Sequence, residues 1–218
     1  WRAIGSASRR LLAEPGIDPQ RIAGVCCTGQ WSGTVPVDHR GRPLGPAIIW
    51  MDSRGAPQVR RLTTGRLSIA GYGLAPLYHW IRLTGGIPGR SGKDAIAHIL
   101  HLQSEDPERY RNTYKFLEPK DYLNLCLTGR FAASYDSIIL HWVTDNRRID
   151  RIRYHPKLLR MSGIAPDKLP DLKRAVDILG PLTPAAAGTL GLPPDLPVVM
   201  GAPDLKTAAI GAGAVKDF

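Results

Sequence analysis

A lone carboxylate, Asp204, sits between two contrasting segments. An apolar run ends in a glycine turn before it, Leu196-Pro197-Val198-Val199-Met200-Gly201-Ala202-Pro203. A small-residue stretch from Leu205 to Ala214 follows it. This order predicts a strand, a tight turn and a helix, with the acid at the mouth of the turn, where open α/β sheets bind ligands. A carboxylate there can accept a proton from an alcohol or hold Mg²⁺ through water. It can equally cap the helix that follows it. No His or Cys lies close in sequence to build a nucleophilic triad or a metal cluster around it.

Two further segments carry polar chemistry after apolar runs. In Thr28-Gly29-Gln30-Trp31-Ser32-Gly33-Thr34, two glycines bracket an amide, an indole and a hydroxyl. Glycine permits tight turns and close ligand approach. Gln30 and Ser32 can hydrogen-bond the edges of a polyhydroxy ligand, and Trp31 offers a flat apolar face and an N–H. The competing reading is a tight β-turn whose Trp fills the core. In Trp50-Met51-Asp52-Ser53-Arg54, Asp52 and Arg54 share a side if the strand continues; a salt bridge or a helix N-cap is the competing role.

The elements that position these segments alternate between strand and helix patterns, which argues for an α/β fold. Trp1, Ile4, Ser8, Leu11 and Leu12 fit one helical face, ended by Pro15-Gly16. Ile22 to Thr28 reads as a buried strand, with Thr34 to Val37 as its neighbour. Pro36 favours an edge or a bulge there. Ala47 to Trp50 is a third short apolar run. Leu74, Leu77, Tyr78 and Ile81 share a helical face, as do Ile96, Ile99, Leu100 and Gln103. Pro119 to Leu127 reads as a helix opened by proline and stopped at Thr128-Gly129.

Composition narrows the class. The 218 residues are 43% hydrophobic and 22% charged, an ordinary globular balance, long enough for one large domain or two small ones. No apolar run approaches the roughly 18 residues that span a bilayer. The N-terminal stretch has no signal-peptide pattern, and the absence of an initiator Met suggests a processed chain or a segment of a longer one. Cys26, Cys27 and Cys126 form no CxxC pair and are expected to be buried, reduced thiols of a cytoplasmic protein. The net charge of +10 is scattered, densest at Arg147-Arg148 with Arg151 and Arg153 and at Arg60-Arg61. It lacks the aromatic interleaving of an RNA-binding surface, so nucleic acid is not the expected partner. There is no P-loop, no dinucleotide fingerprint and no GxSxG elbow.

Taken together, these segments resemble the FGGY family of carbohydrate kinases, near its xylulokinase-like members. Residues 22–54 resemble the family's strand, its "GQ" turn (Gly29-Gln30) and its "PAILWxDxR" segment (Pro46 to Arg54). Residues 116–129 resemble "FLxPKDYLxxxLTG", and residues 197–214 resemble "PVxxGxxDxxxxxxGxG". The likeness spans nearly the whole chain. It implies a ribonuclease H-like, actin-like α/β domain, and reads residues 1–218 as part of an N-terminal sugar-binding domain. It also implies phosphorylation of a sugar or polyol hydroxyl with ATP and Mg²⁺. By resemblance Asp204 aligns with the general base. Gln30, Trp31 and Ser32 align with the sugar-contacting turn, and Asp52 and Arg54 with residues beside it.

The departures are specific. Trp31-Ser32 stands where xylulokinases usually carry Met-His, so the substrate need not be xylulose. Leu205 follows the acid, and Pro203 stiffens the turn before it. The family's first hairpin, with its acidic residue and Gly-Thr phosphate turn, would precede Trp1, and its second, nucleotide-holding domain would follow Phe218. The expectation is therefore that the 218-residue chain alone is inactive and leaves a sheet edge unpaired. A sugar-binding regulatory pseudokinase is the alternative, and a homodimer is compatible with either.

Overall fold

The computed structural model describes residues 1–214. Its strands are short and its order is mixed α/β, as the alternating pattern predicts. The central sheet has three strands, ordered Val25–Cys26, Pro197–Val199, Ile178–Pro181. The first pair is parallel, with Val25 opposite Val198 and Cys26 opposite Val199. The second is antiparallel, with a register shift between Ile178 and Gly180. Pairing Val25–Cys26 with Pro197–Val199 brings two segments more than 170 residues apart side by side, and their ends carry the Gly29 turn and Asp204.

The structure departs from the sequence pattern at several points. Regular strand covers only Val25–Cys26 of the 22–28 run, and Cys26 is exposed rather than buried because it lies on the outermost strand of this sheet. Cys27 is half-buried, and burial pushes its thiol up to about 11, so it stays protonated and unreactive near neutrality. Val35–Val37 does not neighbour that strand. It pairs antiparallel with Lys115–Leu117. Alternation reveals which side chains share a face but not which strand lies alongside. The expectation for Pro36 fares better: its carbonyl accepts from Leu44 N–H at 2.9 Å, so its missing N–H faces a flank held only by isolated bridges.

Helix Arg2–Leu12 packs on helix Pro184–Leu190 through Trp1, Gly5, Ser8 and Leu12, and the Ser8 hydroxyl donates to the Leu190 carbonyl at 2.8 Å. Ile4 and Leu11, expected on the same face, point to solvent. Helix Leu74–Thr84 buries Trp80 and Leu83, while Leu74, Tyr78 and Ile81 are exposed. Helix Ala95–Glu105 is buried on nearly every side and centres the largest core, with Val59, Trp80, Phe116, Val143 and Leu158 around it. Helix Pro119–Thr128 behaves as the sequence predicts, with Pro119 at its first position and Gly129 in the left-handed region at φ 71° as its stop.

Candidate active site

Asp204 is the first residue of helix Asp204–Gly211, one position past the place a capping Asp would take. Pro203 holds the cap position. Two hydrogen bonds fix the acid. Its backbone N–H donates to the Gly29 carbonyl at 2.9 Å, and its Oδ1 accepts from Leu205 N–H at 2.8 Å. The carboxylate is exposed, and Oδ2 has no protein partner among the described residues. The positive end of the helix dipole favours its charge there. The turn before it depends on Gly201, whose φ is +72° and whose missing Cβ would lie 2.3 Å from the Cys27 carbonyl oxygen.

The Gly29–Gly33 turn is locked at several points, and this decides which of its groups remain available. The Trp31 indole N–H donates to the Ser137 carbonyl at 3.3 Å, so that donor is committed to the protein; the ring is half-buried and outside the hydrophobic core. Ser32 sits in the left-handed region at φ 61°, buried, with its hydroxyl donating to the Lys93 carbonyl at 2.6 Å. A non-glycine residue held there stores on the order of 1–2 kcal/mol, the kind of strain that gathers at functional turns. Gln30 is half-buried, and its amide has no partner among the described residues, leaving both of its functions open to a ligand.

Asp52 and Arg54 do pair, through a turn rather than along a strand. Arg54 donates from Nε and Nη2 to Asp52 Oδ2 at 2.9 and 2.6 Å, and its backbone N–H donates to Oδ1 at 2.9 Å. The guanidinium holds the Asp52 carboxyl below its ordinary value. These two side chains largely satisfy each other.

Three residues that the sequence reading passed over tie these segments together. His98 is buried in helix Ala95–Glu105; its Nδ1 meets the Thr34 hydroxyl at 3.1 Å and its Nε2 meets the Asp52 carbonyl at 3.4 Å. Burial pushes its pKa down to about 4, so the ring is neutral near pH 7. The carbonyl can only accept, which assigns the proton to Nε2 and the acceptor role to Nδ1. Lys93 extends its ammonium over the Trp50 ring, 6.0 Å from the centroid, while its carbonyl holds Ser32.

Glu118 is the third. It is buried, and its Oε2 accepts from Gly33 N–H at 2.8 Å; Oε1 has no partner among the described residues. Gly33 must be glycine here, since a Cβ would lie 2.5 Å from Pro119 Cγ. The turn is therefore clamped at Gly29 by Asp204 and at Gly33 by Glu118. Burial drives the Glu118 carboxyl well above its ordinary 4.5; Asp121 and Asp204 add to this and Lys120 opposes it.

Because the folded carboxyl holds its proton more tightly than the unfolded one, native stability is expected to fall as pH rises from about 4.5 towards the raised value. Glu118→Gln keeps an acceptor for Gly33 and is expected to flatten this dependence. Glu118→Ala orphans the buried N–H and is expected to cost about 1–3 kcal/mol. Urea midpoints measured between pH 4 and 8 check both expectations.

Beneath the turn lies a buried polar layer. Lys120 Nζ donates to Asp121 Oδ1 at 2.5 Å and to the Met200 carbonyl at 3.0 Å. Asn124 Nδ2 reaches the same carbonyl at 2.7 Å, and Ser137 Oγ donates to Asp121 Oδ2 at 2.6 Å. This layer anchors the strand end that delivers Asp204.

Known proteins resemble this chain along nearly its whole length. The N-terminal domain of the FGGY family of carbohydrate kinases matches residues 1–211. The chain is similar to the xylulose kinase of Escherichia coli, 28% identical across 99% of this chain and 40% of that protein. It is also similar to the erythritol kinase of Brucella abortus, 31% identical across 98% of this chain and 38% of that protein. In structure it resembles the xylulose kinase from Rhodospirillum rubrum, with a TM-score of 0.82 at 23% identity, covering 99% of this chain and 42% of that one. The chain thus spans about two fifths of the length of these relatives, and its α/β architecture is the ribonuclease H-like fold of the sugar kinases. No helix among the described residues is long and apolar enough to cross a membrane. With residues 1–211 matched, the chain belongs to the FGGY family of carbohydrate kinases.

Proposed function

We propose that this chain is the sugar-binding part of a kinase that transfers the terminal phosphoryl group of ATP to a hydroxyl of a sugar or polyol. The hydrogen bond from Asp204 N–H to the Gly29 carbonyl carries the reading, because it fixes a free carboxylate against a turn that presents a free amide. Gln30 binds and orients the acceptor through its amide, the Trp31 ring offers a face for the C–H surface, and Ser32 holds the turn in its strained form. Asp204 Oδ2 takes the proton of the attacking hydroxyl as the oxygen–phosphorus bond forms. Asp52 and Arg54 act beside the pocket, each oriented by the other.

Among the described residues, no three His, Cys, Asp or Glu side chains converge on a metal position. The exposed Asp204 carboxylate suits water-mediated contact with an ion carried on nucleotide phosphates. Mg²⁺-ATP, when bound, supplies the phosphoryl group and neutralises its charge. Everything else asked of this chain is binding, orientation and proton acceptance.

The 218-residue chain by itself is expected to bind the acceptor without turning over ATP, since it spans about two fifths of its relatives. The test is transfer from γ-labelled ATP to a panel of pentuloses, hexuloses and tetritols, run with the full-length kinase and with this chain. Transfer by the full-length protein alone supports the proposal. Turnover by the isolated chain, or no acceptor for the full-length protein, contradicts it.

A further inference from the structure

The densest basic group of the sequence has no part in the site above. It lies on the loop joining strands Thr144–Asp145 and Arg153–Tyr154, an antiparallel pair. There Arg147, Arg148, Arg151 and Arg153 line a concavity of about 370 Å³ with Asp145 at its base.

The arrangement is ordered. The Asp145 side chain is only 7% exposed and receives Arg147 through Nε and Nη2, both at 2.8 Å. Asp145 Oδ2, which accepts from Arg147 Nη2, also lies 3.8 Å from Arg153 Nη2, so one buried carboxylate has two guanidinium groups beside it. Arg148 pairs with Asp150 at 3.0 Å, and a backbone bond from Arg151 N–H to the Arg148 carbonyl closes the loop tip. Arg151 has no carboxylate partner among the described residues.

Four guanidinium groups thus face two carboxylates, leaving an excess of two positive charges around one hollow. The surplus is felt nearby. His155 is held below the ordinary imidazole value chiefly by burial, with Arg147, Arg153 and Arg160 adding to it and Asp145 opposing. Like charges gathered at this spacing repel one another unless an anion joins them. Guanidinium forks match phosphoryl oxygens two by two, and a phosphate monoester carries close to two negative charges at pH 7. Among the described residues no aromatic side chain lines the hollow, so they offer nothing for a nucleobase to stack on.

We propose that Arg147, Arg148, Arg151 and Arg153 form a binding site for a small phosphate monoester or free phosphate, with Asp145 fixing Arg147 and Asp150 pairing with Arg148. None of these residues belongs to the set described around Asp204, and the proposal does not depend on the kinase reading. Duplex nucleic acid is the other polyanion that exposed arginines attract non-specifically, and the test below includes it.

The test is calorimetric titration of the 218-residue chain with ribose 5-phosphate and with inorganic phosphate at constant ionic strength. Saturable one-to-one binding of either probe is expected, and the tighter of the two identifies the source. Replacing Arg151 and Arg153 with Ala is expected to weaken it at least about tenfold. Replacing Arg60 and Arg61, which removes the same charge from helix Ala56–Thr63, is expected to leave it unchanged. Heats that never saturate, equal weakening by both double substitutions, or tighter binding of a 20-base-pair duplex than of either probe would overturn the site. Thermal melting of each variant separates lost binding from lost folding, because all four replaced side chains are exposed.

Discussion

On the proposed function, Asp204→Asn in the full-length protein is expected to lower kcat by about 10²- to 10⁴-fold, the contribution of a positioned general base. Acceptor affinity should change by less than about threefold. The substitution is nearly isosteric. Asn keeps an oxygen for Leu205 N–H and keeps the backbone bond to the Gly29 carbonyl, so the geometry of the turn survives. What it removes is the ability of the free oxygen to take a proton. Steady-state kinetics, with acceptor binding measured separately, distinguishes this from a binding defect. A fall in affinity with unchanged kcat would mean that the carboxylate holds the acceptor rather than deprotonating it.

Lys120→Met is expected to be the most damaging change to stability. Lys120 and Asp121 are both buried, with side chains 1% and 0% exposed, and each is the other's charge partner. Removing one member of such a pair strands the other, at a cost of about 3–5 kcal/mol. Asp121 would keep only the Ser137 hydroxyl for company at its second oxygen. Burial already raises the Asp121 carboxyl above its ordinary 3.8 against the opposing effect of Lys120, and losing Lys120 raises it further. The folded state then binds a proton that the unfolded chain releases, so the deficit should shrink as pH falls below neutral. Urea unfolding of wild type and variant at pH 5 and pH 8 measures it. A deficit under about 1 kcal/mol at pH 8 would show that the pair contributes nothing beyond its packing.

Parts of the fold can be read from the residues alone. Helix Pro119–Thr128 is legible because its start and stop are local chemistry: proline tolerates the first turn, and Gly129 adopts the left-handed stop. The strand-turn-helix at Asp204 is legible for the same reason. The partner of Val35–Val37 is not, because pairing with Lys115–Leu117 is decided by tertiary packing across about eighty residues. Periodicity correctly groups Leu74, Tyr78 and Ile81 on one face of helix Leu74–Thr84, yet Trp80 and Leu83 on the opposite side are the ones buried. Shared position on a helix is a local property, and burial is not.

The site divides along the same line. Gln30 and Asp204 stand out in sequence because each follows an apolar run and a glycine. Glu118 and His98 give no such signal. An acid beside a helix start looks like an ordinary terminal charge, and a histidine among isoleucines looks like a core residue. Their roles arise from Gly33, Thr34 and Asp52, which reach them only in the fold. Trp31 shows the converse: its N–H looks available in sequence but is committed to Ser137 in the structure.

The central claim is that the Gly29–Gly33 turn and Asp204 form one acceptor site. Thermal shift of the 218-residue chain against pentuloses, hexuloses and tetritols tests it most directly, because a ligand that binds only the native state raises its melting temperature. A concentration-dependent rise is predicted for one of these acceptors in the wild type and in Asp204→Asn, and its loss in Gln30→Ala. No rise with any of them, or an undiminished rise in Gln30→Ala, would contradict the account.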